Sequence, residues 1–273
     1  MARFQSLPDR IDCITTTIPD SVMCQAYGMN IACNLTINCS VTGQFKNRLE
    51  ITVGCCLWTV PAGIQNMFIE VWGSGGGGGG SGNCCCCSQG PGGGAGGYAA
   101  VQVSTVAGCQ YTVCAGSGGA MGCAACTNGG NGNTSYISGY NLTGFCVQGG
   151  CGGCSGPCNA WYPGCYGVTT ANCGCAYLGS SNYVGNAVYA CGEGGHLFGE
   201  PYGCRYENKG GSAPFNGGIG SWNTYQNCCE IGCCQSPGGD FPGGGGSGAA
   251  SSCCCGQCNC GGCGAAGFVR IWY

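Results

Sequence analysis

The run Met67-Phe68-Ile69-Glu70-Val71-Trp72-Gly73-Ser74-Gly75-Gly76-Gly77-Gly78-Gly79-Gly80 passes from an apolar, aromatic segment into six consecutive glycines. Residues 67–72, broken only by Glu70, have the composition of a strand. The glycines after them disfavour a helix, at about 1 kcal/mol each relative to alanine. Shorter runs recur at 92–94 and 243–246. Two arrangements fit such runs. One is a bundle of polyproline-II strands, which have no internal hydrogen bonds and must find partners on neighbouring segments. Glycine is needed there because only a missing side chain lets backbones approach so closely. The other is a set of irregular loops pinned by disulfides.

Composition extends this reading to the whole chain. Of 273 residues, 61 are glycine, 10 proline and 33 cysteine, while charged residues make up only 6% and the net charge is −3. A helical protein is excluded by the glycine, and collagen by the lack of a strict period of three. Nucleic-acid binding is not expected, because no basic patch exists to neutralise phosphates. No apolar run approaches the 18 residues of a membrane-spanning helix, so no membrane insertion is expected. The N-terminal residues lack the apolar core of a signal peptide, and synthesis in the cytoplasm is the expectation. An all-β, glycine-rich structural or binding protein remains.

Strand patterns place the framework. Residues 31–41 alternate strictly, with Ile31, Cys33, Leu35, Ile37, Cys39 and Val41 on one face. Leu49, Ile51 and Val53 repeat the alternation, so the two segments are expected to pair as a hairpin and make 1–54 a small β unit. Further strands are expected at 57–60, 67–72, 98–106, 110–114 and 268–273. The glycine- and cysteine-rich β domain would then cover 55–273, with its framework at about 57–114 and 266–273. Between them, about 115–265 shows almost no strand pattern and reads as a long loop-rich insert, too long for an ordinary structureless loop.

The cysteines admit two readings. In an oxidising compartment they would make a dense disulfide framework of up to 16 bridges with one thiol left over. Kept reduced, many would act as small buried hydrophobes. Metal binding is the weaker alternative. Cys123-x-x-Cys126 and Cys151-x-x-Cys154 resemble half-sites of a four-thiolate zinc centre, but such spacings arise freely among so many cysteines. No metal or cofactor is therefore expected.

No catalytic site is expected either. Gly73-Ser74-Gly75-Gly76-Gly77-Gly78 fits the dinucleotide fingerprint, yet no helix pattern follows and Tyr98 stands where the acidic residue belongs. His196, the single histidine, lacks an identifiable nucleophile and orienting partner. Glu193, Glu200 and Glu207 near it read as solvated or as paired with Arg205 and Lys209. The aromatics carry more information. Trp161, Tyr162, Tyr166, Tyr183, Tyr206, Trp222 and Tyr225 sit among Gly, Asn and Ser, the composition of adaptable binding loops. They are the candidate receptor-binding residues, unless the rings replace a missing aliphatic core.

Trp58-Thr59-Val60-Pro61-Ala62-Gly63, Ile69-Glu70-Val71-Trp72-Gly73-Ser74 with its glycine run, Gly96-Gly97-Tyr98-Ala99, Gln110-Tyr111-Thr112-Val113 and the closing Gly267-Phe268-Val269-Arg270-Ile271-Trp272 together resemble the glycine-rich domain of bacteriophage tail-fibre and adhesin proteins. The resemblance covers about 57–119 and 264–273; the cysteine-rich insert departs from it. It implies a non-enzymatic structural protein of the virion, a tail fibre or tip or another exposed component in host attachment. Other virion proteins and a host-surface glycan or protein are the implied partners, within a homo-oligomer or larger assembly exposed after lysis. Alternatives are a capsid or tail decoration protein without a receptor, and a cysteine-rich metal-binding protein.

Overall fold

The computed structural model describes residues 45–81, 90–123, 127–155, 173–178, 180–181, 187–199, 206–225, 236–249 and 260–273. No helix occurs among them, and every paired strand is antiparallel. The fold is all-β. In chain order the strands are β1 (Arg48–Ile51), β2 (Gly54–Thr59), β3 (Asn66–Trp72), β4 (Tyr98–Ser104), β5 (Gln110–Ala115), β6 (Ser135–Gly139) and β7 (Leu142–Val147). They continue as β8 (Ala176–Tyr177), β9 (Ser180–Ser181), β10 (Val188–Ala190), β11 (His196–Gly199), β12 (Tyr206–Lys209), β13 (Trp222–Tyr225) and β14 (Phe268–Trp272).

One sheet runs β1-β14-β3-β4-β10 and a second β2-β5-β6-β7-β8, with β9 also on β7. They pack face to face. Met67, Ile69 and Val71 of β3, Val101 and Val103 of β4, and Val269 and Ile271 of β14 meet Tyr111, Val113, Ile137, Leu142, Phe145 and Val147 of the second sheet in one core. The opposite face of β3 is buried as well, which is why 67–72 reads as continuously apolar. Phe68 and Trp72 join Tyr98, Ala100 and Phe268 in a second cluster. Arg270 lies over the rings of Trp72, Phe268 and Trp272, 5.0–5.9 Å from their centres.

β1 lies along β14, at the end of the first sheet among the described residues. The expected strand at 31–41 falls outside the described residues. Inside 115–265, where the sequence shows almost no strand pattern, β6 and β7 form a hairpin that supplies Ile137, Leu142, Phe145 and Val147 to the core, and Asn141 at φ 56° makes its turn. Their strands are short and interrupted by glycine and serine, so the alternation is faint.

Beyond the sandwich, glycine segments continue from the strands as a bundle. Its centre is 73–80, which leaves β3 fully buried. Each of its eight N–H groups donates to a neighbouring segment at 2.8–3.5 Å, and the acceptor changes with every residue. Gly73, Gly76 and Gly79 donate to Gly97, Gly94 and Pro91. Ser74, Gly77 and Gly80 donate to Asn133, Gly130 and Thr127, and Gly75 and Gly78 to Ala265 and Gly262. A repeat of three is the turn of a polyproline-II helix. The falling acceptor numbers show that these three neighbours run antiparallel to the centre.

The carbonyls complete the pattern. Ser74 and Gly77 accept from Gly150 and Gly153, Gly75 and Gly78 from Gly119 and Gly122, and Gly76 and Gly79 from Gly246 and Ala249. These three neighbours run parallel. The central segment is thus ringed by six others, every described N–H of 73–80 is satisfied, and close approach sets the residue type. A Cβ on Gly75 would overlap the carbonyl of Gly244, and one on Gly78 that of Ser247. Of the two arrangements the sequence allowed for the glycine runs, the described ones adopt the bundle.

Candidate functional site

The directions of these segments determine where the chain turns. At one end of the bundle the segments join β3, β4, β5, β6, β7 and β14, so that end is the sandwich. The other end is the distal one. Segments 73–80, 116–122, 148–154 and 243–249 run toward it, and 90–97, 127–133 and 260–267 run back. Strands β11, β12 and β13 form a three-stranded sheet alongside, with Asn208 of β12 donating to the carbonyls of Gly248 and Ala249 near that end. Consequently five connections, 82–89, 124–126, 200–205, 226–235 and 250–259, leave and re-enter described residues at the distal end, and a sixth, 156–172, leaves there but re-enters at Cys173, on the flank beside Ala95 and Gln148. They carry 16 of the 33 cysteines.

The candidate receptor-binding residues distribute unevenly over this frame. Trp161, Tyr162 and Tyr166 belong to the 156–172 connection, outside the described residues. Tyr206 opens β12 directly opposite Tyr225, which closes β13, and Trp222 stands opposite Lys209. These three therefore border the distal end. Tyr183 lies in 182–186, also outside the described residues, and that connection joins β9 to β10 at the sandwich end. Other rings of the same region act in packing: Phe215 lies on Tyr98 with centroids 4.6 Å apart, and Phe241 meets Phe268 at 5.3 Å.

Beside the three-stranded sheet, Glu193 and Lys209 form an ion pair, while Glu200 and Arg205 lie outside the described residues. Glu193 accepts from Lys209 Nζ at 3.2 Å and from the Ser212 N–H at 3.1 Å. Partial burial pushes its carboxyl up, but the hydrogen bonds from Ser212 and Lys209 outweigh this and hold it below the usual carboxylate range. His196 stands opposite Lys209 in the register.

The described cysteines divide into one disulfide and eleven thiols. Cys55 and Cys114 face each other across β2 and β5 and are bridged. Cys151 and Cys154, three residues apart, line one edge of the 148–154 segment. Cys123 lies at the distal end of a different segment, separated from them by 127–133, and contacts the Cys260 thiol. That contact, then partial burial, pushes the Cys123 thiol up to about 11. Cys126 falls outside the described residues. The sequence spacing of Cys123, Cys126, Cys151 and Cys154 thus does not correspond to a cluster among the described thiols. A different trio does converge. The sulfurs of Cys173, Cys175 and Cys191 all lie within 4.8 Å of one another. Cys173-Gly-Cys175 was a visible sequence signal, but its third member sits across a strand connection that spacing does not reveal.

No curated protein matches this chain. The family model described as Glycine-rich domain matches residues 51–273, from β1 to the last residue and through every segment of the bundle, so the chain belongs to the glycine-rich domain family.

Proposed function

We propose that this protein is a non-enzymatic structural component of a phage virion, a tail fibre or tip element that presents its distal connections to the host surface. The observation that carries the reading is the common polarity of those connections. A bundle whose central segment spends every N–H on a neighbour is a rigid support, and five connections both leave and re-enter at one end of it. Binding residues are commonly held on loops over a rigid scaffold. Tyr206, Trp222 and Tyr225 stand on the strands that border this end, and Tyr and Trp among Gly, Ser and Asn give adaptable contact area at low entropic cost. A surface glycan or protein is the matching ligand class. The sandwich end, continuous with residues 1–44, is left for attachment to other virion proteins.

The test is adsorption of phage carrying Trp161→Ala or Trp222→Ala in this protein. Reduced adsorption with normal particle yield is the expected result. Unchanged adsorption by both variants would remove the attachment role, and immunogold labelling on the capsid or tail shaft would replace it with a decoration protein.

A further inference from the structure

The thiol trio stands on hydrogen-bonded backbone at the flank of the bundle. Cys173 and Cys175 flank Gly174, whose N–H donates to the Ala95 carbonyl at 2.9 Å and whose carbonyl accepts from Gly192 at 3.2 Å. The Cys175 carbonyl accepts from the Gln148 N–H at 2.9 Å. Cys191 directly follows β10, which is paired to β4. A Cβ at position 174 would overlap the Gln148 carbonyl, so glycine there lets the Cys-Gly-Cys segment lie flat against 148–154. Three sulfurs are thereby brought to one point by two separately anchored stretches of chain, the preorganisation that a ligand site needs. As thiols they crowd one another. The Cys191 contact comes first among the causes that push the Cys175 thiol above its ordinary range, whereas burial comes first for Cys173. As thiolates they would repel, and a cation between them removes that repulsion.

We propose that Cys173, Cys175 and Cys191 bind one thiophilic d10 cation, Cu+ or Zn2+, through three sulfurs. Each thiol releases its proton to solvent as the ion enters. Among the described residues no fourth Cys, His, Asp or Glu joins the group. Cu+ is satisfied by three soft sulfurs alone, whereas Zn2+ would complete its tetrahedron with water. The site is independent of the attachment reading, because it joins two turns on the flank of the bundle rather than its distal end.

The experiment uses the full chain, reduced and stripped of metal under nitrogen, then loaded with Cu+ or with Zn2+ in separate preparations and crystallised. Anomalous difference maps at each metal's absorption edge are expected to show a peak equidistant from the three sulfurs in at least one preparation, and the edge that gives it identifies the ion. In solution the same ion is expected to raise the thermal midpoint of the native protein. Cys191→Ser and Cys175→Ser should each lose that rise, while Cys154→Ser, on another segment, keeps it. Cys191 is exposed, so its serine variant keeps the metal-free midpoint and separates loss of the site from loss of the fold. Metal at other thiols with none at the trio, a Cys175–Cys191 disulfide that persists in the reduced protein, or an undiminished thermal rise in Cys191→Ser would each overturn the proposal.

Discussion

The hydroxyl of Tyr98 donates to Oε1 of Glu70 at 3.1 Å across two neighbouring strands, in a layer closed to solvent. Trp272 Nε1 supplies a second bond to Oε2 at 2.9 Å, and Arg270 lies 3.7 Å from the same oxygen. Burial, followed by the charge of Glu70, pushes the Tyr98 phenol far above its ordinary value. The folded state therefore holds this proton more tightly than the unfolded state. Its contribution is complete below the unfolded phenol value of about 10 and is lost as the pH rises above it. Urea unfolding between pH 8 and 11 should show stability falling above pH 10. Tyr98→Phe should flatten that fall and cost about 1–2 kcal/mol at pH 7, because a charged acceptor loses its donor. An equally steep alkaline fall in the variant would contradict the assignment.

Gly78→Ala separates space from backbone freedom. The added methyl meets the Ser247 carbonyl, which already accepts from Gly262. Neither backbone can move without breaking a bond to a third segment. A loss at the upper end of the overpacking range, about 3 kcal/mol, is expected from chemical unfolding. Gly63→Ala is the comparison. Gly63 has φ 84° and open space around it, so alanine there costs only the left-handed strain of about 1–2 kcal/mol.

The Cys55–Cys114 bridge closes a loop of 59 residues between two edge-sheet neighbours. Restricting a loop of that length in the unfolded chain stabilises by up to about 4 kcal/mol. A Cys55→Ser, Cys114→Ser double variant should unfold at correspondingly lower denaturant, with the β2–β5 pairing retained in amide exchange of the native state.

Cys123 is exposed yet should alkylate slowly. Its thiol, raised by the Cys260 contact, holds little thiolate at pH 8. Peptide mapping after brief iodoacetamide treatment should find Cys123 modified several-fold faster in Cys260→Ala than in the native protein. Equal rates would show that the contact does not govern the thiol.

The strands that sequence reading recovers are those with large side chains. β3, β4, β5 and β14 carry Val, Ile, Tyr, Phe or Trp at most of their buried positions, and the pattern is plain. The β6–β7 hairpin was harder to see, since Ile137, Leu142, Phe145 and Val147 are spaced by Ser, Gly and Thr around the turn at Asn141. The bundle was legible as a possibility in the glycine runs, but its neighbour order was not. Glycines have no side chains by which one segment tells another apart. The partner of Gly77 is chosen by the hairpins at the sandwich end, which fix where each segment starts. The thiol trio was half legible: Cys173-Gly-Cys175 is in the sequence, whereas Cys191 arrives through the β4–β10 pairing.

Because successive N–H groups of 73–80 address three different neighbours in rotation, the bundle has a reading frame. Removing or adding one residue in the central segment would turn every later donor toward the wrong partner, as a frameshift garbles every later codon. A change of three would keep the phase but shift the segment by a full turn against six neighbours at once. Heritable changes of length are thereby selected against within 73–80, whatever residues they add or remove.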